Sequence, residues 1–304
     1  IINPAAGKYD KTGEITQKVR EACDKRCLAY EILVSRQAGD CQKLAQAAAA
    51  SGDPVRIYAC GGDGTLNEVI NGVIGHPNAA VTHFPAGSGN DFIKIFSDPA
   101  AFRDVGRLLD GEVASFDVIR CLGEHYALNI CSMGFDARIG TSISKYKRIP
   151  LVSGSGAYVL STGVNLIKGI QQHYVIEVDG ERIDGKQSLI CIANGRWYGG
   201  GFNPLPEAEP DDGLLDVLIV KGVSRLTVAN VIGKYKAGKY AELSNIIRHY
   251  RCKSITIHGD KPSEINLDGE LLYARDVTFD LLPKAIRFFY PKGLTYHVKK
   301  PVGV

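Results

Sequence analysis

The chain has 304 residues, which is long for one average domain and suits two. Hydrophobic residues make up 45% and charged residues 23%, an ordinary globular composition that excludes a wholly disordered chain. The formal net charge of +3 argues against a protein that coats nucleic acid, so we expect no nucleic-acid partner. It still allows a local basic patch that faces phosphates or anionic lipid.

Neither membrane insertion nor secretion is expected. No run reaches the roughly 18 apolar residues that span a bilayer, and the first residues, Ile1-Ile2-Asn3-Pro4, carry no signal-peptide pattern. The 8 cysteines are scattered, without a Cys-x-x-Cys pair. We therefore expect a cytoplasmic protein whose cysteines are reduced and buried.

Residues 1–120 alternate between strand and helix patterns. Strands separated by helices of this length form a parallel sheet through right-handed crossovers. We expect strands at 1–2, 32–34, 55–60 and 81–84, and helices at 12–27, 40–50 and 66–73. The first part is therefore an α/β domain, onto which residues 286–304 can pack back.

Residues 121–285 are rich in strands and turn dipeptides, a pattern typical of an antiparallel β-sandwich. We expect strands at 126–130, 174–178, 188–193, 215–220, 254–257 and 277–282, and helices near 158–167 and 227–235. The turn signals are Asp179-Gly180, Asp184-Gly185, Asn194-Gly195, Gly259-Asp260 and Asp268-Gly269. The predicted fold class is an α/β domain followed by an antiparallel β-sandwich domain.

Three glycine-rich turns follow strands of the first domain: 3–8, 61–65 and 85–91. In an open parallel sheet, ligands bind beyond the carboxyl ends of the strands, where small residues let backbone N–H groups approach a phosphate. A helix beginning near Leu66 would add the positive end of its dipole. Asp63, among these glycines, suits such a site if a divalent cation or a sugar hydroxyl faces it.

Any one of these loops alone is as often a plain tight turn as a ligand site, but three at successive strand ends favour the site. The chain lacks Gly-x-Gly-x-x-Gly after its first strand and lacks Gly-x-x-x-x-Gly-Lys-Ser/Thr. A dinucleotide oxidoreductase and a P-loop NTPase therefore fit poorly.

These loops, with motifs of the second half, resemble the diacylglycerol kinase catalytic superfamily in its soluble bacterial lipid kinase branch. The resemblance covers nearly the whole chain. The motifs that carry it in the first half are Asn3-Pro4-Ala5-Ala6-Gly7, Gly61-Gly62-Asp63-Gly64-Thr65-Leu66-Asn67-Glu68 and Gly87-Ser88-Gly89-Asn90-Asp91-Phe92. In the second half they are Asn194-Gly195, Gly199-Gly200-Gly201, Asp211-Asp212-Gly213-Leu214-Leu215-Asp216 and Leu267-Asp268-Gly269-Glu270.

The resemblance implies an ATP-dependent, Mg²⁺-requiring enzyme that phosphorylates a lipid hydroxyl. It implies a nucleotide-binding domain over 1–120 like that of NAD kinases and phosphofructokinases, then a β-sandwich lipid-substrate domain over 121–285, with the ATP site between them. It also implies peripheral membrane contact, because a cytoplasmic kinase must reach its lipid transiently at the inner membrane surface. Family members form dimers through an edge strand, so a homodimer is expected.

Carried over residue by residue, the resemblance implies catalytic roles for Glu270, as the general base, and for Asp63, which would serve the Mg-nucleotide. It implies a structural Mg²⁺ bound by the Asp212 side chain and by the carbonyls of Glu209 and Leu214. The implied ATP contacts are Asn3, Pro4, Ala5, Ala6, Gly7, Ser35, Gly62, Asp63, Gly64, Thr65, Leu66, Asn67, Glu68 and Ser88.

Two of these assignments have a plain alternative in the residues themselves. Asp268-Gly269 is also an ordinary hairpin turn, beside which Glu270 would be a solvated side chain. The acidic cluster around Asp212 is also a polar turn before a strand. Phosphoryl transfer needs a group that accepts the hydroxyl proton, and hard cations take carboxylate and carbonyl oxygens. We therefore favour the functional interpretation of both.

Basic and aromatic residues indicate where a lipid or a membrane would approach. Trp197 and Tyr198 flank either the lipid entrance or the sandwich core, and the adjacent glycines favour the entrance. Two basic stretches are candidates for contact with an anionic membrane, although each alone is more simply a solvated charged face. They are Lys145-Tyr146-Lys147-Arg148, and Lys234, Lys236 and Lys239 interleaved with Tyr235 and Tyr240.

Two other functions compete with a lipid kinase. An NAD kinase shares the Gly-Gly-Asp-Gly loop, and residues 153–158 weakly resemble its later signature, but the Asn-Glu dinucleotide expected between the glycine loops and these residues is missing. A lipid- or nucleotide-binding module that has lost catalysis would also keep the fold, but Asp63 and Glu270 are both retained. Diacylglycerol, phosphatidylglycerol-type lipids and sphingoid bases stay open as acceptors, since each offers a hydroxyl on an amphipathic body.

Overall fold

A computed structural model describes residues 1–134 and 171–298. The chain forms two compact units. The first consists of Ile1–Val118, Glu209–Asp212 and Leu282–Val304, and the second of Ile119–Ala208 and Gly213–Leu281.

The first unit is an α/β unit with a parallel sheet. Its strands β1 (Val55–Gly61) and β2 (Ala79–Pro85) pair in parallel, and the end of β11 (Glu270–Tyr290) pairs in parallel with the other edge of β2 at Phe288↔Val81. Its helices are α1 (Thr12–Asp24), α2 (Asp40–Ala49), α3 (Asp63–Val73) and α4 (Val105–Leu109), with 3₁₀ turns at Phe92–Ile95 and Pro99–Arg103.

The two strands expected at 1–2 and 32–34 are reduced to single parallel bridges. Ile2 bridges to Cys60 of β1 on one side and to Val34 on the other. The backbone N–H of Ser35 donates to the carbonyl of Ile2 at 2.9 Å, which completes the ladder. These segments stay short because the Asn3-Pro4 turn follows Ile2 at once, and Pro has no N–H to extend the ladder.

The core of the first unit is aromatic, and its helices pack closely. Helices α2 and α3 come together at Gly72, where a Cβ would lie 2.3 Å from the carbonyl oxygen of Gln42. Rings that meet at centroid distances of 5.0 to 6.5 Å fill the other side of the sheet, edge to face or tilted in most pairs. They are Phe92, Phe96, Phe102, Phe116, Phe288, Tyr290 and Tyr296.

The second unit is an antiparallel β-sandwich. The elements that follow β2 in the chain are β3 (Glu112–Cys121), β4 (His125–Ala127), β5 (Ile130–Gly134), β6 (Gln172–Val178), β7 (Glu181–Ala193), β8 (Leu215–Lys221), α5 (Arg225–Lys236), a 3₁₀ turn (Tyr240–Leu243), β9 (Ile247–Cys252) and β10 (Ser254–Leu267). The long strands β7 and β10 each pair with both β5 and β6. Inward-facing residues of the strands surround one apolar core.

Two predicted turns in this unit lie inside strands instead. Asp184-Gly185 lies within β7, where Gly185 pairs with Tyr174 and has a φ of 151°. Gly259-Asp260 lies within β10, at a register shift between His258 and Ser263. A Cβ on Gly259 would lie 3.1 Å from the carbonyl oxygens of both Arg275 and Lys261, so this glycine permits a close approach of backbone within the strand rather than a turn.

The extents of several strands also differ from the prediction. The single strand expected at 126–130 is split into β4 and β5, because the amides of Leu128, Asn129 and Ile130 donate to a carboxylate instead of to a neighbouring strand. Strands β3 and β9 and the last part of β11 were not predicted. The helix expected near 158–167 lies outside the described residues.

Seven of the eight cysteines are buried and all are free thiols, as expected, but Cys27 is exposed. Cys27 follows α1 in a turn with a φ of 54°. Among residues 1–134 and 171–298, no helix is both long enough and apolar enough to cross a bilayer.

His83 joins the two central strands of the first unit. It lies fully buried on β2, and its Nε2 is 3.0 Å from the carbonyl oxygen of Gly61, at the end of β1. The backbone N–H groups of Ala86 and Gly87 donate to that same oxygen. Burial lowers the pKa of His83 from 6.5 to about 4, so the imidazole ring is neutral in the folded protein at neutral pH.

We expect the free energy of unfolding to fall as the pH drops from 6.5 towards 4, because the unfolded chain then protonates His83 while the folded chain does not. His83→Gln keeps an N–H donor but does not titrate, and it should remove up to about 1.4 kcal/mol per pH unit of this slope. Urea unfolding of both proteins across this pH range measures the difference. Equal slopes would contradict the assignment.

Candidate active site

The three glycine loops meet at the carboxyl ends of β1 and β2 in the first unit. A Cβ on Gly7 would lie 2.5 Å from the carbonyl oxygen of Ala86, and one on Gly87 would lie 2.4 Å from the Cα of Gly62. A Cβ on Gly89 would lie 2.5 Å from Oδ2 of Asp63. Only glycine permits these approaches, so the loops form one continuous backbone surface.

The first loop is held by Asn3. Its side-chain Nδ2 donates to the hydroxyl oxygen of Thr65 at 3.0 Å, and its Oδ1 accepts the backbone N–H of Ala5 at 3.0 Å. Gly7 has a φ of 84°, which turns the chain back at the end of the loop. The predicted ligands Pro4, Ala5 and Ala6 are half-buried or exposed, so this stretch presents backbone to the surface.

The second loop runs directly into α3. This helix begins at Asp63 and not near Leu66, with Gly62 in extended conformation as its N-cap. Asp63 therefore lies in the first turn, where the helix dipole stabilises a carboxylate or a phosphate. Asp63 is half-buried, and its Oδ1 accepts the backbone N–H of Asp91. This bond ties the second loop to the third.

The third loop carries an acidic residue that the sequence analysis did not assign to the site. Asp91 is buried and forms an ion pair with Lys94. Asn90 has a φ of 49°, and its Nδ2 donates to the carbonyl of Gly87 at 2.9 Å. Ser88 is exposed. The signal for Asp91 was its position directly after the Gly-Ser-Gly-Asn turn.

Several of the predicted ATP contacts have side chains that face the interior. Thr65, Leu66 and Asn67 are buried in the first turns of α3, and the side chain of Ser35 is buried as well. The carboxylate of Glu68 accepts two backbone N–H groups, from Gly39 and Cys41. Their roles towards ATP stay predictions. The side chains of Asp63 and Ser88, and those of Ala5 and Lys8 in the first loop, are half-buried or exposed.

In the second unit, Asp268 and Gly269 form the turn between β10 and β11. Their φ angles are 51° and 100°, and Leu267 pairs with Glu270 across the turn, as in a two-residue hairpin with left-handed central residues. The Asp268 carboxylate accepts the N–H groups of Leu128 at 2.7 Å, Asn129 at 3.0 Å and Ile130 at 2.8 Å. Asp268 thus clamps the hairpin to the β4–β5 connection.

This clamp extends to the Asn194-Gly195 motif. The backbone N–H groups of both residues donate to the carbonyl of Asn129, and Nδ2 of Asn194 donates to the carbonyl of Leu128 at 2.7 Å. A Cβ on Gly195 would lie 2.2 Å from Oδ1 of Asn129, so glycine is required there. Glu270, the first residue of β11, is an exposed side chain on a rigid backbone.

The acidic segment expected to bind a metal belongs mostly to the first unit. Oxygens of Glu209 and Asp211 and a ring nitrogen of His297 lie within 4.8 Å of one another. The Tyr296 hydroxyl donates to Asp211 at 2.9 Å, and the Val298 N–H donates to Glu209 at 3.0 Å. Asp212 is exposed and Leu214 is half-buried. The carboxylate of Asp212 and the carbonyls of Glu209 and Leu214 offer the oxygen ligands that suit Mg²⁺, and their assignment as its ligands stays a prediction.

Of the two basic stretches, 145–148 lies outside the described residues, as does the 153–158 segment. In the other stretch, Tyr235 is buried and its hydroxyl lies 3.1 Å from that of Tyr198. Tyr198 and Trp197 are half-buried, and Tyr198 packs against the apolar cluster beneath α5. The lysines lie on the surface, and Lys234 pairs with Glu242 at 3.0 Å.

Comparison with known proteins assigns both halves of the chain. The family model described as the diacylglycerol kinase catalytic domain matches residues 1–121. The model described as the YegS C-terminal NAD kinase beta sandwich-like domain matches residues 129–290, more than half of the chain.

Similar curated proteins match along their whole length. A protein of Staphylococcus haemolyticus named "Putative lipid kinase SH2167" is 28% identical over 285 residues, which cover 92% of this chain and 90% of that protein. A Staphylococcus carnosus protein named "Putative lipid kinase" is 26% identical over 298 residues, 95% of each chain.

Solved structures agree with the fold. The crystal structure described as a "putative diacylglycerol kinase" from Bacillus anthracis superposes with a TM-score of 0.77 at 26% identity, and the match covers 97% of this chain and 96% of that one. An NAD kinase from Archaeoglobus fulgidus, solved in complex with ATP, superposes with a TM-score of 0.50 at 14% identity over 93% of this chain and 92% of that one. The second likeness is one of fold alone, and it confirms the predicted NAD kinase-like architecture. The chain therefore belongs to the bacterial lipid kinase family that joins a diacylglycerol kinase catalytic domain to a YegS-type, NAD kinase-like β-sandwich domain.

Proposed function

We propose that this protein is an ATP- and Mg²⁺-dependent lipid kinase whose acceptor is the hydroxyl of diacylglycerol or of a related phosphatidylglycerol-type or sphingoid lipid. The observation that carries the proposal is the mutual backbone contact of the three glycine loops around Asp63, in a chain that belongs to the lipid kinase family. Diacylglycerol is the first choice of acceptor because the matched catalytic domain and the Bacillus anthracis structure are described by that substrate.

The loops suit a triphosphate for electrostatic and steric reasons. Backbone N–H groups reach phosphate oxygens only where side chains are absent, and the loops lack Cβ atoms where they approach one another most closely. The N-terminus of α3 adds a partial positive charge. Asp63 supplies a hard carboxylate oxygen of the kind that Mg²⁺ prefers, and Mg²⁺ would neutralise phosphate charge during transfer.

Glu270 would accept the proton of the lipid hydroxyl. As that proton leaves, the lipid oxygen forms a bond to the γ-phosphorus, and the bond from the γ-phosphorus to the terminal oxygen of ADP breaks. An exposed carboxylate at the start of β11, on a hairpin that Asp268 clamps, suits this role because the backbone that carries it is held in place.

The proposal includes a structural Mg²⁺ held by the Asp212 side chain and by the carbonyls of Glu209 and Leu214. The support for this site is the number of carboxylate and carbonyl oxygens in residues 209–214 and a hydrogen bond that fixes the backbone of this segment. The carbonyl of Pro210 accepts the N–H of the fully buried Asp117 at 2.7 Å, which holds the segment against the first unit's core.

The proposal also includes peripheral contact with an anionic membrane through Lys234, Lys236 and Lys239. What supports it is the surface position of these lysines on and after α5, together with Leu226, which is 78% exposed at the start of the same helix. A helix that exposes a leucine in its first turn and lysines in its last turn has the composition of an interfacial contact. The two tyrosines between the lysines are turned inward or half-buried, so they add little to this surface.

Replacing Gly87 tests the nucleotide loops. Gly87→Ala places a Cβ against the Cα of Gly62 and forces the second and third loops apart, so we expect the Kd for MgATP to rise at least about tenfold. Isothermal titration with MgATP measures it. Gly13→Ala is the matched control, because a Cβ at Gly13 meets nothing within 4 Å. An unchanged Kd in Gly87→Ala would remove the loops from nucleotide binding.

The acceptor is tested by incubating the protein with MgATP and each lipid class in mixed micelles, with NAD as a soluble comparison, and detecting products by mass spectrometry. We expect a phosphorylated lipid, and we expect Glu270→Gln to keep the Kd for MgATP while turnover falls about 10²- to 10⁴-fold. Glu177→Gln, on the exposed side of β6, is the control for loss of one carboxylate. Phosphorylated NAD in place of lipid would contradict the assignment of a lipid acceptor. Near-normal turnover in Glu270→Gln would contradict the assignment of Glu270 as the general base.

Membrane contact is tested by sedimentation with vesicles that contain phosphatidylglycerol. We expect Lys236→Glu/Lys239→Glu to weaken binding about tenfold or more, since each lysine near an anionic surface contributes about 1 kcal/mol. Lys253→Glu/Lys261→Glu makes the same change of charge at two other exposed lysines of the second unit and should bind like the wild type. Binding that depends on neither salt nor anionic lipid would overturn this part of the proposal.

A further inference from the structure

Glu68 makes contacts that a nucleotide ligand would not need. It lies on α3, one turn beyond the glycine loop, and its side chain is half-buried. Oε1 accepts the backbone N–H of Gly39 at 3.0 Å, and Oε2 accepts the backbone N–H of Cys41 at 3.0 Å. Both carboxylate oxygens are thus engaged by another segment of the same unit.

The two amides belong to the start of α2. Gly39 is the N-cap of this ten-residue helix and has a φ of 82°. The first N–H groups of a helix have no partner within it, and a carboxylate placed there is also stabilised by the helix dipole. Glu68 therefore caps α2 from outside, across 27 to 29 residues of chain.

The capped end of α2 leads back to Ser35. Ser35 and Cys41 are both buried, and residues 36–40 form the connector between them. The backbone N–H of Ser35 donates to the carbonyl of Ile2 at 2.9 Å, beside the first loop. The segment that Glu68 holds at Gly39 and Cys41 therefore begins at Ser35.

Within this connector, a second carboxylate keeps the backbone folded. Oδ2 of Asp40 accepts the N–H of Arg36 at 2.9 Å and that of Gln37 at 3.1 Å. Residues 35–41 thus form a compact turn, and Glu68 is the side chain of α3 that holds this turn. Rotation or displacement of the turn would move Ser35 relative to the glycine loop at the start of α3.

We propose that Glu68 is a positioning residue that fixes Ser35 relative to the phosphate loops, and that its carboxylate does not itself contact the nucleotide. The inference rests on the proposed function, because it takes Ser35 as an ATP contact. It replaces a direct nucleotide role for the Glu68 side chain with an indirect role through the start of α2.

The test is a double-mutant cycle on the Kd for MgATP, measured by isothermal titration. Glu68→Gln keeps the shape of the side chain but turns an NH₂ group towards one of the two amides. We expect Glu68→Gln to raise the Kd about tenfold and Ser35→Ala about fivefold. The double variant should bind no more weakly than Glu68→Gln alone, because both changes remove the same contact. Glu21→Gln, at an exposed carboxylate of α1, is the control and should not change the Kd.

Hydrogen exchange supplies a readout that does not depend on nucleotide. In Glu68→Gln, the amides of Gly39 and Cys41 should exchange at least about tenfold faster, while the amides of β1 keep wild-type rates. Where Glu68→Gln fails to fold, Glu68→Asp serves instead, because it keeps the charge but withdraws the carboxylate by one methylene.

The outcomes separate this inference from the proposed function. Additive effects of the two substitutions on the Kd, or a weaker Kd with unchanged exchange at Gly39 and Cys41, would overturn the positioning role and assign Glu68 to the nucleotide directly. Failure of the wild-type protein to bind MgATP would overturn the proposed function, and this inference with it.

Discussion

The close approach of backbone to backbone at the carboxyl ends of β1 and β2 is the constraint on which the candidate site depends. A Cβ on Gly87 would lie 2.4 Å from the Cα of Gly62, and one on Gly7 would lie 2.5 Å from the carbonyl oxygen of Ala86, so backbone meets backbone at both points. Parallel pairing from Val55↔Ala79 to Gly61↔Pro85 brings the second and third loops to one edge. Loops that come this close without side chains between them leave room for an anion to approach the backbone and the N-terminus of α3.

Carboxylates in this protein fall into two physical groups. Asp268 and Glu68 accept backbone N–H groups with both oxygens, and each thereby joins segments that are far apart in the chain. Glu270 is exposed at the end of a clamped hairpin, and Asp63 is half-buried in the first turn of α3. The first group holds the backbone. Asp63 of the second group also accepts the N–H of Asp91, and the chemical roles proposed above fall to this second group. A rigid support beneath an exposed reactive group lowers the cost of ordering it for reaction.

The sequence predicted most of the regular elements but misjudged two kinds of feature. Gly259 has the composition of a turn, yet it lies in a strand, where the carbonyl oxygens of Arg275 and Lys261 approach it closely. Strand β9 was missed because its residues 248–251 are Arg, His, Tyr and Arg, and only pairing with β8 identifies them as a strand. In both cases the deciding interaction comes from a neighbouring strand, which no local periodicity records.

The sequence by itself determined the parallel α/β layer, the β-rich second half, the three glycine loops and the Asp268-Gly269 hairpin, because each has a local signature in spacing and turn chemistry. Only the tertiary structure decided what the acidic side chains do. Asp268 reaches amides 138 to 140 residues away, and Glu68 reaches amides 27 and 29 residues away. Hydrogen bonds over such separations depend on how the elements pack. The sequence alone therefore does not distinguish an Asp or Glu that holds backbone from one that is exposed at the site.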